Sequence, residues 1–396
     1  MKVINKIKDK VKRHQERSTP LNFKYVLSDS IGFINPDDWQ SIAEQGSVFL
    51  SREYLETIEM FSPQNTQQRY AIAYDNGKPV VIVACQIAEV SGLNFIQPCN
   101  QVKEKVAASV KEKVIVCGNL VSSGLHGVAF DKNIDLETAW RVVAEVTYRL
   151  RKAEHLNGAV DFAMIKDIKG EQLTASSVVE RYSYRKIKTD PDMVLTLDDS
   201  INSFDDYLAI LTSKYRSKTK KVAKEVEKAG YLCEKIAITP EVDKSLHQLY
   251  LNVENKSATR LATLPEGYFS GLANALGDKF VCYAIKNKNS IAGFISIIID
   301  GDKALAYYVG VDYTINKTVP IYFRLLQLVI ECAIERNIKT ISFGRTALEA
   351  KANLGAKPVE AYVWARHRIP VVNFVLRQLF GHIPYDEAPE RSVVKC

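Results

Sequence analysis

Between Phe280 and Phe343 three strand-like runs, one helix and a fourth strand follow one another with very short connections, an order that leaves few ways to fold. FVCYAI (280–285), IAGFISIII (291–299) and KALAYYVGV (303–311) are rich in β-branched and aromatic residues, and Asp300-Gly301 between the last two is a hairpin signal. They predict an antiparallel meander. In TVPIYFRLLQLVIECAIERN (318–337), Ile321, Leu325, Leu328, Val329 and Cys332 share one face, with Thr318 as the expected cap and Pro320 in the first turn. That is an amphipathic helix. KTISFG (339–344) reads as a buried strand, and a right-handed crossover returns it parallel to the third meander strand.

The first half repeats this order more loosely. RYAIAY and PVVIVACQIA flank Asp75-Asn76-Gly77 as a hairpin, DLETAWRVVAEVTYRLRKAEHLNG (135–158) is a helix ending at Asn157-Gly158, and AVDFAMIK (159–166) is a strand. The chain therefore reads as a divergent tandem in the α/β (α+β) class, each half a mixed, mostly antiparallel sheet flanked by helices. We expect a basic tail or helix over 1–19, a first domain over 20–195 and a second over 196–396, with Lys188 to Ser203 as the hinge. An inserted segment, NQVKEKVAASVKEKV (100–114), has helical spacing and reads as a surface helix or a lid.

With 396 residues, 46% hydrophobic and 25% charged, the chain has enough apolar residues for two cores. No apolar run approaches the roughly 20 residues that span a bilayer, and the N-terminus lacks a signal-peptide centre, so a cytoplasmic location is expected. The seven cysteines form no CxxC pair and mostly sit within apolar segments, which predicts reduced core thiols and no metal site. Walker A, GxSxG, HExxH and EF-hand patterns are absent.

Three further segments resemble one known group: SFDDYLAILTSKYRSKTKKVAKEVEKAGY (203–231), YYVGVDYTINKTVPIYFRLLQLVIECAIERN (307–337) and FGRTALEAKANLGAKPVEAYVWARHR (343–368). They are similar to the FemAB-like and CelD-like branch of the GNAT acyltransferase superfamily, with CGNLVSSGLHGVAFD (117–131) and MIKDI (164–168) adding to the likeness. The resemblance implies two GNAT-like domains that transfer an acyl or aminoacyl group to an amine or hydroxyl, the second domain being catalytic. It implies acyl-CoA as co-substrate and a small-molecule, glycan or peptide acceptor. Aminoacyl-tRNA as donor in peptidoglycan synthesis, and a non-catalytic module binding an anionic ligand, are the alternatives. Acetyl-CoA-dependent members hold the pyrophosphate on a Gly-rich loop before the helix that follows the meander. Here VGVDYTINKTVP has one glycine and offers Thr314, Asn316, Lys317 and Thr318 instead. FemAB enzymes, which take aminoacyl-tRNA, lack that loop as well.

The candidate catalytic groups are Glu349, Arg345, Tyr308 and Tyr322. Arg345 would fix a carboxylate or phosphate, Glu349 would serve as base, and Tyr322 would protonate a leaving group. Asn316, Lys317, Thr318, Arg324 and Lys351 are candidates for the donor, with Lys351 on a phosphate or developing oxyanion. Asp312, Tyr313, Thr346 and His367 are candidates for the acceptor, imidazole being the side chain that titrates near neutrality. Each has an ordinary alternative: Arg345 paired with Glu349 to pin the loop, a packed Tyr322, a solvated Arg324, a surface His367. Strand alternation predicts that only one of Tyr307 and Tyr308 points inward.

The helix over 213–229 carries Lys214, Arg216, Lys218, Lys220, Lys221, Lys224 and Lys228 against Glu225 and Glu227. It reads either as a surface for the phosphates of tRNA, CoA or a cell-wall precursor, or as a solvated face. MKVINKIKDKVKRHQER and VVNFVLRQLF (371–380) are candidates for weak membrane-surface contact.

Overall fold

The computed structural model describes residues 11, 15, 19–91, 111–257, 260–288, 290–374, 389 and 391–395. The chain divides into two compact units, Met1–Glu59 with Asn65–Thr189 and Tyr362–Pro384, and Met60–Gln64 with Asp190–Ala361 and Tyr385–Cys396.

In the first unit β1 (Lys24–Ser28) leads to α1 (Pro36–Ala43), whose first turn is capped by Asn35, and to α2 (Arg52–Met60). β2 (Thr66–Asp75) and β3 (Lys78–Ser91) form the expected hairpin, with Asn76 at φ 47° and Gly77 at φ 82°, the left-handed pair that a two-residue turn between right-twisted strands requires. β4 (Lys111–Cys117) and the short β5 (Val128–Phe130) both pair antiparallel with β3. α3 (Leu136–Ala153), capped by Asp135, crosses over, and β6 (Phe162–Ile168) enters parallel to β4, Val114 facing Phe162 and Cys117 facing Ile165. One face of this sheet buries Trp140, Val143, Val146 and Leu150 of α3 against Ile115, Ala163 and Ile165. After α4 (Gly170–Ala175) the chain leaves the unit along β7 (Arg185–Thr196). The stretch from Lys188 that reads as a hinge is thus strand as far as Thr196. Residues 111–114 of the inserted segment are strand as well, and 100–110 lie outside the described residues.

The second unit begins with α5 (Phe204–Ile210), the basic α6 (Ser213–Lys228), β8 (Leu232–Lys235), α7 (Pro240–Glu254) and α8 (Tyr268–Leu276). The meander then appears as β9 (Phe280–Lys286), β10 (Ile291–Asp300) and β11 (Lys303–Val311). A short α9 (Tyr313–Asn316) precedes α10 (Ile321–Glu335), and β12 (Thr340–Ser342) returns parallel to β11 and antiparallel to β7. α11 (Leu348–Ala352) follows. β13 (Lys357–His367) then carries the chain back, its residues from Tyr362 pairing antiparallel with β6. The described residues 362–374 therefore cluster with the first unit.

α10 covers one face of the second sheet with Ile321, Leu325, Leu328, Val329 and Cys332, the residues its periodicity named, packed on Ile295, Ile297 and Ile341. Fully burying each large apolar side chain contributes about 1.5–3 kcal/mol. α7 and α8 cover the other face: Phe294, next along β10 from Ile295, meets the Phe269 ring edge-on at 5.2 Å. Gly310 lets α7 approach this closely, because a β-carbon there would fall 2.3 Å from the Phe294 ring and 2.7 Å from the Leu249 carbonyl carbon. The described thiols Cys85, Cys117, Cys282 and Cys332 are buried, Cys233 is partly so, and all five are free.

Candidate active site

The register of β10 on β11 breaks once, with Ile295 opposite Val309 and Ile297 opposite Ala306, so Ser296 stands against both Tyr307 and Tyr308. That is a β-bulge, and it cancels the alternation expected of the two tyrosines. Both rings reach the same neighbour, Tyr268 of α8, at 6.5 and 6.4 Å between centroids, and the hydroxyls of Tyr268 and Tyr307 lie 2.5 Å apart. The start of α8 is fixed by the buried carboxylate of Asp243 on α7, which accepts from Gly267 N and Ser270 N at 2.7 Å each. Nothing local in sequence marks this device, because the capping group comes from another helix.

A second group of residues sits where β12 ends. The β11 ladder with β12 stops at Leu305 and Ser342, yet Phe343 and Gly344 go on bonding to Met193 of β7 while β11 runs on to Val311. The two parallel strands therefore part at their C-terminal ends, the end that carries Tyr307 and Tyr308. Asp192, 4% exposed, anchors the departing loop by accepting from Ser342 Oγ at 2.8 Å and from Gly344 N at 3.0 Å. Lys351 of α11 is 3% exposed, and its ammonium lies 4.0 Å from where a β-carbon on Gly344 would stand. Burial pulls the Lys351 pKa down to about 8, while Asp192 pulls it the other way. Arg345 is half-buried and its burial likewise lowers its pKa, while Thr346 beside it is exposed. Gly344 at φ 74° and Ala347 at φ 53° turn this loop, and a left-handed alanine is an uncommon conformation that the packing around it must hold.

The start of α10 differs from the expected cap. Pro320 occupies the cap position, and Tyr322 N donates instead to the Asn316 side chain at 2.9 Å, while Ile321 N donates to Val319 O at 2.7 Å. Two of the amides that an anion would seek at a helix start are thus already bonded. Thr318 donates its hydroxyl to Ile315 O, Asp312 caps α9 by accepting from Thr314, and Lys317 is exposed. The Tyr313 ring carries the Lys256 ammonium 3.2 Å from its centroid. Tyr322 packs against the α10 core with its phenol pushed up to about 12, mainly by burial. Arg324 is opposed by burial but bonds Glu331 at 2.6 and 3.1 Å, which holds its charge.

Glu349 is exposed and pairs with Arg391 at 2.6 Å, so the expected partnership with Arg345 is replaced by one with the C-terminal segment. His367 lies in the first unit, 6% exposed, edge-on to Phe162 and accepting at Nδ1 from Ile369 N. It is a buried residue and not the surface one its arginine neighbours suggested. Among the described residues one trio, Glu112, Asp161 and His367, brings ligand atoms within 4.8 Å. Asp161 spends its oxygens on Arg368 and on Lys113 N, which makes the trio part of an ion network. On α6 Tyr215, Thr219, Val222 and Val226 face inward and the lysines are exposed, with the Lys214 ammonium over the Tyr215 ring and the Lys218 ammonium over the Phe323 ring, each at 5.7 Å.

Residues 213–352, from the start of α6 to the end of α11, match the family described as Acetyltransferase (GNAT) domain. No curated protein sequence matches the chain. The crystal structure of FemX is similar at 12% identity, covering 90% of this chain and 99% of that one, with a TM-score of 0.56. A tandem GNAT protein from the clavulanic acid biosynthesis pathway is similar at 11% identity over 88% of this chain and 99% of that one, TM-score 0.52. L-PGS from Bacillus licheniformis is similar at 12% identity over 88% and 97%, TM-score 0.50. At such identities the likeness is one of fold. Residues 213–352 thus match a GNAT acetyltransferase domain, and the chain shares its fold with FemX and with a tandem GNAT protein.

Proposed function

We propose that the second unit is an N-acyltransferase that passes an acyl group directly from an activated carrier to an amine, at the point where β11 and β12 part. The observation that carries this reading is Lys351, a lysine almost without solvent exposure set at the exit of β12 with its pKa drawn down to about 8. A buried cation held beside a departing parallel strand suits an oxyanion better than it suits stability. The acceptor nitrogen attacks the donor carbonyl and the C–N bond forms. Lys351, still largely protonated at neutral pH, and Arg345 stabilise the tetrahedral oxyanion. The carrier oxygen or sulfur leaves with the electron pair, and the proton from the amine passes to water or base. Tyr307 and Tyr308, turned to one side by the bulge, form the wall against which the acceptor packs.

Of the two carriers that the resemblance implies, aminoacyl-tRNA is favoured by the start of α10, whose amides are bonded to Asn316 and Val319, and by the exposed lysines of α6 close to that turn. Acyl-CoA is the competing reading. Binding across a salt series decides between them. Aminoacyl-tRNA should bind with an affinity that falls steeply with salt, by a slope of about one log unit per phosphate contact, and Lys214→Gln with Lys220→Gln and Lys224→Gln should flatten that slope. Saturable acyl-CoA binding with no tRNA binding would assign the donor to CoA.

A further inference from the structure

The first unit holds a buried cluster of uncharged polar groups that acyl transfer in the second leaves unused. β4 and β6 run parallel as far as Cys117 and Ile165. Beyond that pair Gly118 N stays with Ala84 O of β3, while β6 goes on until Ile168 faces Tyr362 of β13. The two strands therefore part at their C-terminal ends, the place where ligands enter open α/β sheets.

Gln86 of β3 stands opposite Val116, on the face turned away from Cys85, Ile87 and the α3 core. Its Oε1 accepts from Leu120 N at 2.7 Å, which leaves Nε2 as the unspent group. Asn119 donates through Nδ2 to the Tyr54 hydroxyl of α2 at 3.2 Å and keeps Oδ1 unbonded, and the Ser122 hydroxyl is unbonded as well. All three side chains are at most 7% exposed. Ser123 beside them is exposed, so the cluster lies directly beneath the surface.

The charges at this end are already spent. Lys166 of β6 donates to the carbonyls of Asn119 and Ser122 and pairs with Asp167 at 3.2 Å, and Asp167 also accepts from Gly124 N at 2.7 Å. One ammonium thus gathers residues 119 and 122, and Gln86 meets the chain between them at Leu120. A buried polar group left without a partner costs about 1–3 kcal/mol, and three such groups stand together here. A neutral ligand with both a donor and an acceptor suits them better than an ion.

We propose that Gln86, Asn119 and Ser122 form a binding site for an uncharged amide group, carried as a carboxamide or secondary amide by a small molecule. The amide carbonyl accepts from Gln86 Nε2, the amide N–H donates to Asn119 Oδ1, and the Ser122 hydroxyl serves the second lone pair of the carbonyl. An ester lacks the N–H, and a carboxylate brings a charge that Lys166, bonded three ways, does not answer. Buried water is the rival occupant.

The test is ligand-observed NMR titration of the full chain with N-methylacetamide, methyl acetate and acetate, for the wild type, Ser122→Ala and Gln86→Met. The first two probes differ only in N–H against O. Ser122→Ala removes a hydroxyl that bonds nothing in the free protein, so its unfolding midpoint should stay level or rise. The proposal expects saturable binding of N-methylacetamide, methyl acetate weaker by about tenfold, and a loss of about three- to tenfold in each variant. No saturable binding, equal binding of methyl acetate or acetate, or unchanged affinity in both variants would overturn it. A lowered midpoint in Ser122→Ala with no amide binding would assign the three atoms to internal water. The readout is binding and not turnover, so its outcome does not depend on the transfer reaction of the second unit.

Discussion

The Ser296 hydroxyl serves both main-chain groups of Tyr308, accepting from its N–H at 3.0 Å and donating to its carbonyl at 3.2 Å. A bulge takes a residue out of the ladder, and inside a buried sheet its amide and carbonyl must find partners elsewhere. Ser296 is fully buried and supplies them from the facing strand, which keeps Tyr307 and Tyr308 together against Tyr268.

Ser296→Ala should therefore cost about 2–4 kcal/mol, because two buried polar groups lose their partner at roughly 1–3 kcal/mol each and part of the loss is recovered by relaxation. Urea unfolding measures it. A change below about 0.5 kcal/mol would show that the hydroxyl does not hold the bulge.

Lys351 gives a pH signature. Its folded pKa, about 8, lies below the ordinary lysine value, so between about pH 8 and 10.5 the unfolded chain binds the extra proton and stability rises with pH. Below pH 8 the buried charge opposes folding in full. Lys351→Met should raise stability at pH 7 by up to about 3 kcal/mol and flatten the difference between variant and wild type above pH 10.5. Parallel unfolding curves at every pH would contradict the assignment.

The Glu349–Arg391 pair is exposed on the carboxylate side and lies at the surface. Glu349→Ala should change stability by less than about 1 kcal/mol and leave the transfer rate within about twofold of wild type. A large loss in kcat with unchanged folding would restore Glu349 as the base.

The meander and both hairpins are legible in the sequence because their signals are local: turn residues at fixed offsets and alternating apolar runs. α10 is legible from its apolar period, apart from its cap, since Thr318 looks a better cap than the Pro320 and Asn316 arrangement that forms. The bulge is not legible. Alternation assumes an unbroken register, and what breaks it is a serine on the neighbouring strand. Asp192 is not legible for a related reason: its partners Ser342 and Gly344 are 150 and 152 residues away, and nothing near Asp192 announces them. Of the residues named for the site, Lys351, Arg345 and Tyr308 lie in the second unit near the parting strands. His367 lies in the other unit, because β13 returns there.

The most direct measurement is turnover of radiolabelled aminoacyl-tRNA and acyl-CoA with a panel of amine acceptors, comparing the wild type with Lys351→Met after folding has been verified. The account predicts donor consumption coupled to amide formation, falling about 100-fold or more in kcat for Lys351→Met with little change in donor binding. Equal turnover by Lys351→Met, or no turnover of either donor by the wild type, would contradict it.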